Sequence, residues 1–315
     1  MLDPIIYTIR IGSIELPIRW YGLLVVIGAL FAAWYATWYF KRKGEDHEIV
    51  WDVMVWLLIG GIIGARIWYV IADMIGGHTR YFDDPIQIVM INQGGLNILG
   101  GVVVGALVAW FYTRRYKIDF WLLVDAAAPG LLIGQAIGRL GNYINQELYG
   151  PPTELSWGIQ IDAEHRLFPW NDILEYPFET TFFHPTFAYE MAWNLIFAAI
   201  LIYFVVAKGD KIRTGIIAGS WLIIAGVGRM WIELFRPDQP SFFGAPFSTS
   251  TVISGLFALI GLFIVLVKMG KIQVPFMQEG AYEYAIADKK LTRLEREQLR
   301  RQRREERRQQ PPSKD

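Results

Sequence analysis

The feature that most constrains the fold of this chain is a series of apolar runs, each about 20 residues long. A helix of that length spans a hydrocarbon core about 30 Å thick. Hydrophobic residues make up 53% of the 315 residues, and they gather in these runs rather than spreading evenly. The sequence therefore predicts an all-α integral membrane protein and not a soluble domain.

We predict about seven transmembrane helices in this chain. The third is the weakest, because the stretch "GGLNILGG" places four glycines at its start. We expect broken or re-entrant backbone there, covered by protein or water. The predicted spans are Trp20–Phe40, Ile49–Ile71, Gly95–Tyr112, Phe120–Arg139, Pro185–Ala207, Gly215–Phe235 and Thr249–Lys268.

Basic residues follow every second span and predict the orientation of the chain. "KRKG" follows the first span, "RRYK" the third and "KGDKIR" the fifth, while Lys268 and Lys271 follow the seventh. Since basic loops favour the cytoplasmic side, we expect the N-terminus outside and the C-terminus in the cytoplasm.

Two segments outside the spans suggest further organisation. The segment of residues 143–184 is long and contains several prolines. It predicts a small extracytoplasmic head inserted into a membrane domain of residues 1–270. Residues 271–315 form a charged cytoplasmic tail with the run "LTRLEREQLRRQRREERR", which is typical of a solvated helix. Binding of this helix to anionic lipid head groups is the alternative interpretation.

The composition excludes several kinds of chemistry. There are no cysteines, so the chain has no disulfide, no thiolate metal site and no cysteine nucleophile of its own. The four histidines lie far apart without paired ligand spacing. We expect no metal, no cofactor and no nucleic-acid partner. The start "MLDPIIYTIR" lacks a basic region before an apolar core, so no cleavable signal peptide is expected.

Charged residues inside spans are costly and usually functional, and here several share one depth. At about 1.5 Å per residue, Arg66 lies about 25 Å along the second span and Arg229 about 21 Å along the sixth. Glu233 follows Arg229 by one turn, and Arg139 lies at the outer end of the fourth span. Three arginines at similar depth predict a bound anion, because guanidinium binds phosphate in a bidentate manner. A phospholipid head group is the anion most available there.

Other polar residues lie near the same depth. Tyr21 begins the first span, His184 begins the fifth, and Glu190 lies about 9 Å into the fifth. We expect Glu190, like Glu233, to orient the arginines. Asp125 lies near the inner end of the fourth span, and we expect it to satisfy backbone groups freed near its proline.

Each of these residues also has a purely structural interpretation. Arg66 could pair with a glutamate and hold two helices together, and Arg139 could extend from a helix end to the interface. Arg229 and Glu233 could satisfy each other. The remaining alternatives are capping or packing for His184, an interfacial position for Tyr21, and tight turns at Gly141 and Gly150.

The stretch "GRLGNYINQELYG", residues 138–150, closely resembles the signature G-R-x-G-N-F-x-N-x-E-x-x-G of bacterial prolipoprotein diacylglyceryl transferases. Every fixed position agrees except Tyr143, where the signature has phenylalanine. The resemblance covers about residues 18–268. Its other landmarks, in the family's order, are "RWYG", "GARIWYV", "DAAAPGLLIGQAIGR", "HPTFAYE" and "GVGRMWIELFRPD".

The resemblance implies a transferase of the bacterial cytoplasmic (inner) membrane, with its active site in the outer half. Such an enzyme moves the diacylglyceryl group of phosphatidylglycerol to the thiol of the lipobox cysteine in a prolipoprotein signal peptide. A thioether forms and glycerol phosphate is released. The implied partners are phosphatidylglycerol, prolipoprotein signal peptides and membrane lipids.

The resemblance also implies roles for particular residues. Arg139 would hold the phosphate of phosphatidylglycerol. Arg229 would help to hold it or would neutralise the leaving glycerol phosphate, with Glu233 orienting Arg229.

Four further positions match residues treated as important or essential in the family, namely Tyr21, Asn142, Glu147 and Gly150. Asn142 and Tyr21 would hydrogen-bond the head group or the leaving oxygen. Glu147 would orient Arg139 or accept a proton.

One position departs from the family pattern. Leu99 stands where the family usually carries a histidine before the second glycine pair, and that histidine is a candidate base for the thiol. We expect activity here to depend less on a histidine base than on arginine. His184 or Glu147 could also serve as the base.

Two other functions remain as alternatives. Leu99 is compatible with a non-catalytic homologue that binds lipid or signal peptides. A transporter with a buried anion site would show paired inverted repeats, and we see no internal repeat.

Overall fold

The structure is a computed structural model that describes residues 3–11, 14–91, 94–236 and 247–274. The predicted tail helix, from about Lys289, lies outside the described residues. The elements are β1 (Ile5–Ile11), β2 (Ile14–Arg19), α1 (Trp20–Lys43), α2 (Glu48–Ile75), α3 (Arg80–Asp83), α4 (Ile98–Tyr116), α5 (Phe120–Ile144), α6 (Thr186–Lys208), α7 (Ile216–Glu233) and α8 (Thr249–Lys268).

Seven of these helices are long and apolar enough to cross a membrane, namely α1, α2 and α4–α8. Many large apolar side chains on them are exposed, as expected where lipid replaces water. The prediction of an all-α integral membrane protein with about seven spans is confirmed. The main differences are at helix ends, since α2 continues to Ile75 and α5 to Ile144. Arg139 therefore lies within α5 rather than at its end.

The start of the third span is irregular only in part. Residues 94–95 have positive φ, and Asn97 caps the helix that begins at Ile98. The second glycine pair is helical. A Cβ atom on Gly100 would lie 2.3 Å from the carbonyl oxygen of Gly64, so glycine permits close contact between α4 and α2.

A two-stranded antiparallel hairpin precedes α1 and was not among the predicted elements. β1 pairs with β2, with Tyr7 opposite Ile18. The signal for it is the alternation of apolar and polar residues on both sides of Gly12 in "IIYTIRIGSIELPIR". Strands this short form no apolar run of span length, so the pattern that predicts the membrane helices does not reveal them.

Glycine also sets close packing in the other helix pairs. A Cβ atom on Gly261 of α8 would lie 2.5 Å from the carbonyl oxygen of Gly219 of α7. Gly28 of α1 and Gly134 of α5 face each other in the same way, with 2.9 Å between the added Cβ and the opposing Cα. Small residues of this kind let membrane helices approach closely.

Asp125 caps the N-terminus of α7 from a neighbouring helix. Its side chain is fully buried and accepts hydrogen bonds from the amides of Gly215 and Ala218, each at 2.7 Å. The amides at a helix start lack intrahelical partners and carry partial positive charge. The carboxylate does satisfy backbone, but at the start of α7 and not near Pro129 as we expected.

The segment between α5 and α6 has a small apolar core of its own. Tyr149, Ile161, Trp170 and Phe183 pack together and are each at least nine-tenths buried. The guanidinium of Arg166 lies 5.2 Å from the ring centroid of Phe183. This packing ties together the end of α5 and the start of α6.

The chain divides into two compact units. One comprises residues 36–123, and the other comprises the described residues of 3–35 and 124–274. All but one of the residues predicted for the site belong to the second of these. Arg66 is the exception.

Candidate active site

Arg139 lies on α5 and has two polar side-chain partners. Its Nη1 donates to Oδ1 of Asn142 at 3.0 Å, and its Nη2 donates to Oε1 of Glu190 on α6. Asn142 follows Arg139 by three residues, so both side chains emerge on one face of α5. The helix continues past Arg139 far enough to place this partner beside it.

Glu190 connects Arg139 to the second arginine of the site. Its other carboxylate oxygen, Oε2, lies 3.9 Å from Nη1 of Arg229 on α7. Arg229 in turn forms an ion pair at 3.0 Å with Glu233, one turn along the same helix. One carboxylate thus lies between two guanidinium groups from different helices.

Ser248 extends this network to α8, and sequence reasoning missed it. Its Oγ donates to Oε1 of Glu233 at 2.7 Å and accepts from the amide of Thr251 at 3.1 Å, which makes Ser248 the N-cap of α8. The signal was available, because serine just before an apolar run is typical of an N-cap. The hydroxyl therefore couples a helix start to the Arg229–Glu233 pair.

Glu147 contacts Arg139 through Asn142. Its Oε1 accepts from Nδ2 of Asn142 at 2.8 Å and from Nδ2 of Asn145 at 3.1 Å. Asn142 is 4% exposed, and both ends of its amide are engaged. In this structure Asn142 therefore holds the arginine instead of presenting a free amide.

The turn that carries Glu147 has an unusual backbone. Gln146 and Leu148, on either side, adopt positive φ values of 52° and 58°. Such conformations cost free energy for residues with a side chain and need support. Gln146 supplies part of it, because its side chain exchanges two hydrogen bonds with Asp162 in the segment that follows.

His184 belongs to a neighbouring group of aromatic side chains. Its Nδ1 lies 3.0 Å from the hydroxyl of Tyr189, which accepts a hydrogen bond from Nε1 of Trp157 at 2.9 Å. The ring of Phe235 lies 5.3 Å from the His184 ring. The described side-chain contacts of His184 are with Tyr189 and Phe235, and not with the arginines.

Gly150 is fixed by close packing. Its amide donates to the carbonyl of His184 at 2.8 Å. A Cβ atom would lie 2.9 Å from Cγ2 of Thr186 and 3.1 Å from the carbonyl oxygen of Phe235. This crowding accounts for glycine here without reference to a substrate.

Tyr21 lies against Gly141 at the start of α1. A Cβ atom on Gly141 would lie 2.6 Å from Cδ2 of the Tyr21 ring. The side chain of Tyr21 is 42% exposed. The first-span motif thus packs directly on the signature stretch that contains Arg139.

Arg66 belongs to the other unit, where its partners are backbone carbonyls and not a glutamate. Its Nε donates to Ile88 at 2.8 Å, its Nη1 to Gly94 and Gly95, and its Nη2 to Gln87. These contacts fasten the loop between α3 and α4 to α2.

Leu99 occupies the first turn of α4, in the same unit as Arg66. Its amide donates to Oδ1 of the N-cap residue Asn97 at 2.9 Å. The backbone is therefore a regular capped helix start at the position where the family histidine is expected.

The charges of the Arg139 site are paired but not sealed from their surroundings. The side chains of Arg139 and Arg229 are 21% and 24% exposed, while those of Glu190 and Glu233 are 13% and 5% exposed. Pairing of this kind is what permits charges inside membrane-spanning helices. Each guanidinium has five N–H donors, and the described contacts use only some of them. The arrangement can accept further oxygen atoms from an anion.

The chain matches the family model described as prolipoprotein diacylglyceryl transferase over residues 7–267. This range contains every residue of the site described above.

Several relatives extend this match. The phosphatidylglycerol–prolipoprotein diacylglyceryl transferase of Bifidobacterium adolescentis is 37% identical over 277 residues, covering 85% of this chain and 80% of the relative. The protein of that name from Chloroflexus aggregans is 36% identical over 75% of this chain and 78% of its own length. The protein of that name from Corynebacterium efficiens is 36% identical, and the match covers 87% of this chain and 85% of the relative. With a family match across most of its length and relatives this similar, the chain belongs to the prolipoprotein diacylglyceryl transferase family.

Proposed function

We propose that this protein transfers the diacylglyceryl group of phosphatidylglycerol to the thiol of the lipobox cysteine in prolipoprotein signal peptides. The observation that carries the proposal is the pair Arg139 and Arg229, presented by two membrane-length helices with Glu190 between them. The names of its relatives supply the two substrates.

The two arginines bind the phosphate of phosphatidylglycerol. Glu190 already lies between both guanidinium groups, as a bridging anion would. A phosphodiester offers oxygens with charge and geometry suited to the remaining N–H donors of both arginines. Glu190 and Glu233 keep the guanidiniums oriented while the lipid exchanges.

The reaction is a substitution at carbon. The sulfur of the cysteine thiolate attacks the glyceryl carbon that carries the phosphoester oxygen, and a C–S bond forms as the C–O bond breaks. The electron pair of that bond leaves with glycerol phosphate, and the thiol proton passes to a base or to water. Charge grows on the leaving phosphate, so preorganised Arg139 and Arg229 stabilise the transition state more than the ground state.

The thiol does not require a strong base in this scheme. A free thiol has a pKa of about 8.5, so a few per cent is thiolate near neutral pH. Nearby guanidinium charge raises that fraction. Leu99 offers no proton acceptor, and this is compatible with a reaction that depends chiefly on arginine.

His184 is already engaged by its neighbours. Its Nδ1 shares a hydrogen bond with the hydroxyl of Tyr189, which also accepts one from Nε1 of Trp157. This suits His184 to supporting the site rather than to serving as the base for the thiol. We expect His184→Ala to reduce turnover without abolishing it. Loss of all turnover with lipid binding intact would contradict this expectation.

The proposed topology places the site where both substrates meet. Basic loops favour the cytoplasmic side, so the N-terminus lies outside, the C-terminus lies in the cytoplasm, and the arginines lie in the outer half of the cytoplasmic (inner) membrane. The segment 143–184 then forms an extracytoplasmic head that meets the translocated precursor. Tyr21, at the outer end of α1, contacts the head group or the leaving oxygen.

A mass measurement tests the proposal directly. Purified protein is incubated with phosphatidylglycerol and a synthetic lipobox peptide, and the peptide is weighed. We expect a diacylglyceryl increment that requires the cysteine of the peptide and is lost in Arg139→Ala. Arg10→Ala is the matched control, because the Arg10 side chain is 74% exposed and pairs only with Glu15 in the hairpin contacts described.

The outcomes separate the proposal from its alternative. No increment from protein that still binds phosphatidylglycerol would support a non-catalytic lipid- or peptide-binding homologue. Leu99→His would then be the next variant, since restored transfer would assign the difference to that position.

A further inference from the structure

Asn194 on α6 is a buried polar side chain that the site described above does not use. It is 4% exposed, and its Nδ2 has no hydrogen-bond partner among the described residues. Burying an amide without a partner costs free energy, so such a group in a native protein calls for an explanation. The group is a donor and needs an acceptor.

Asn194 lies on the same face of α6 as Glu190. Residues 187, 190, 194 and 198 are three or four apart and form one stripe along the helix. Glu190 in this stripe binds Arg139 on α5, and the Phe187 ring lies 5.3 Å from that of Tyr143 on α5. Asn194 is four residues beyond Glu190, about 6 Å further along the helix from its start.

The adjacent stripe of α6 has a different environment. Tyr189 stacks on Trp231 of α7, and Nε1 of Trp193 donates to the carbonyl of Ile224 at 3.1 Å. The indole nitrogen of Trp231 is also buried without a partner among the described residues, but this ring packs within that aromatic stripe. Asn194 is therefore a buried donor without a described partner, one turn further along α6 than the carboxylate that holds the arginines.

We propose that Nδ2 of Asn194 donates a hydrogen bond to an acyl-ester carbonyl of the bound phospholipid. The inference rests on the proposed function, in which Arg139 and Arg229 hold the phosphate. Beyond the phosphate, a diacylglycerophospholipid offers its two ester carbonyls as acceptors, one glycerol unit away, and its acyl chains offer none. The spacing of Glu190 and Asn194 along α6 matches that order of groups.

This contact makes Asn194 a specificity-determining residue for ester-linked lipid. An ether-linked phosphatidylglycerol keeps the phosphate and the reacting carbon but lacks the carbonyl oxygens, so it leaves the buried donor unsatisfied. The two esters belong to the diacylglyceryl group that is transferred, whereas Arg139 and Arg229 bind the phosphate, which leaves as glycerol phosphate. Inhibition by free glycerol phosphate should therefore be unchanged in Asn194→Leu and weakened in Arg139→Ala.

The test compares diester and diether phosphatidylglycerol of equal chain length as substrates with one lipobox peptide. For the wild-type protein we expect kcat/KM to be about 3- to 10-fold higher with the diester, the range of one neutral hydrogen bond. Asn194→Leu should lower the diester value by that factor and leave the diether value unchanged. Asn194→Gln, which keeps the donor, should recover part of the preference.

Thr113→Val is the matched control, because it also removes a buried polar group from a membrane-length helix. Thr113 is 2% exposed and lies in the other unit, and its hydroxyl donates to the carbonyl of Trp110 within α4. The preference for diester should not change in this variant.

Two results would overturn the inference: equal use of both lipids by the wild-type protein, or an equal loss for both lipids in Asn194→Leu. The first needs no variant, so it stands even if a substitution prevents folding. Failure of the wild-type protein to use either lipid would count instead against the proposed function.

Discussion

Arg66 and Arg139 are the same residue type on helices of membrane-spanning length, yet different partners hold their guanidinium groups. Arg66 is 8% exposed and donates to backbone carbonyls of residues 87–88 and 94–95. Arg139 has a side chain that is 21% exposed and donates to the carboxylate of Glu190. Arg66 thus fixes the backbone of a loop, whereas a carboxylate side chain fixes the guanidinium of Arg139.

The difference concerns which partner can be exchanged. A backbone carbonyl cannot move without its chain, so each contact of Arg66 fixes part of the loop, and replacing one with a ligand oxygen would leave that carbonyl unpaired. A carboxylate on a side chain can rotate and share its arginine with an incoming phosphate. Arginine bound to carboxylate is therefore suited to anion binding, and arginine bound to carbonyls is suited to structure.

The largest expected effect comes from removing the exchangeable arginine. In Arg139→Ala we expect kcat/KM to fall by about a thousandfold, near 4 kcal/mol of transition-state stabilisation. The midpoint of thermal unfolding should fall modestly, because Glu190 loses its closer partner but keeps Arg229, at 3.9 Å. The mass-based transfer assay and unfolding followed by tryptophan fluorescence provide both values. A loss below tenfold would contradict a phosphate-binding role for Arg139.

The opposite pattern is expected for the loop-bound arginine. Arg66→Leu leaves several carbonyls without their donor and should lower the free energy of unfolding by at least about 2 kcal/mol. Arg66→Lys should not rescue stability, since one ammonium cannot reach carbonyls on both sides of the loop. Arg80→Ala is a milder control, because the Arg80 side chain is 45% exposed. Full stability with reduced lipid binding in Arg66→Leu would instead place Arg66 among the substrate-binding residues.

The sequence could predict the spans but not which partner each arginine would take. Span length and hydropathy are local properties, so seven helices follow from the sequence, although several of their ends differ from the predicted ones. The i,i+4 spacing of Arg229 and Glu233 likewise predicts their ion pair. The carbonyl partners of Arg66 lie more than 20 residues away in an irregular loop, and no local pattern specifies such a fold.

Features outside the apolar runs were the ones that sequence reasoning missed. α5 continues beyond Arg139 to Ile144 and so places Asn142 beside Glu147, a contact that depends on the fold of the turn after the helix. The link from Glu233 to Ser248 depends on the packing of α7 against α8. The motifs and their order along the chain were enough to predict the family. The pairing of the side chains within those motifs could be seen only in the structure.

Ser248 tests whether the carboxylate beside Arg229 must be held in place. Ser248→Asp keeps an acceptor for the amide of Thr251 and so keeps the helix cap, but it sets a negative charge against Glu233. We expect the midpoint of thermal unfolding to fall, because the two carboxylates repel each other, and kcat/KM to be lower by about tenfold. Ser248→Ala removes the cap as well and should cost about 1 kcal/mol of stability. Undiminished transfer in Ser248→Asp would separate Ser248 from the site.

Glu147 gives the smallest expected effect and distinguishes a positioning residue from a base. Its carboxylate accepts from two asparagine amides and contacts Arg139 only through Asn142 in the contacts described. An amide oxygen can accept both hydrogen bonds, so Glu147→Gln should keep kcat/KM within about fivefold of the wild-type value, as expected for two neutral hydrogen bonds that are largely retained. The dependence of kcat/KM on pH should keep its shape. If Glu147 is instead the base for the thiol, the same variant will lose turnover by two orders of magnitude or more. The acidic limb of the pH profile will then disappear with it.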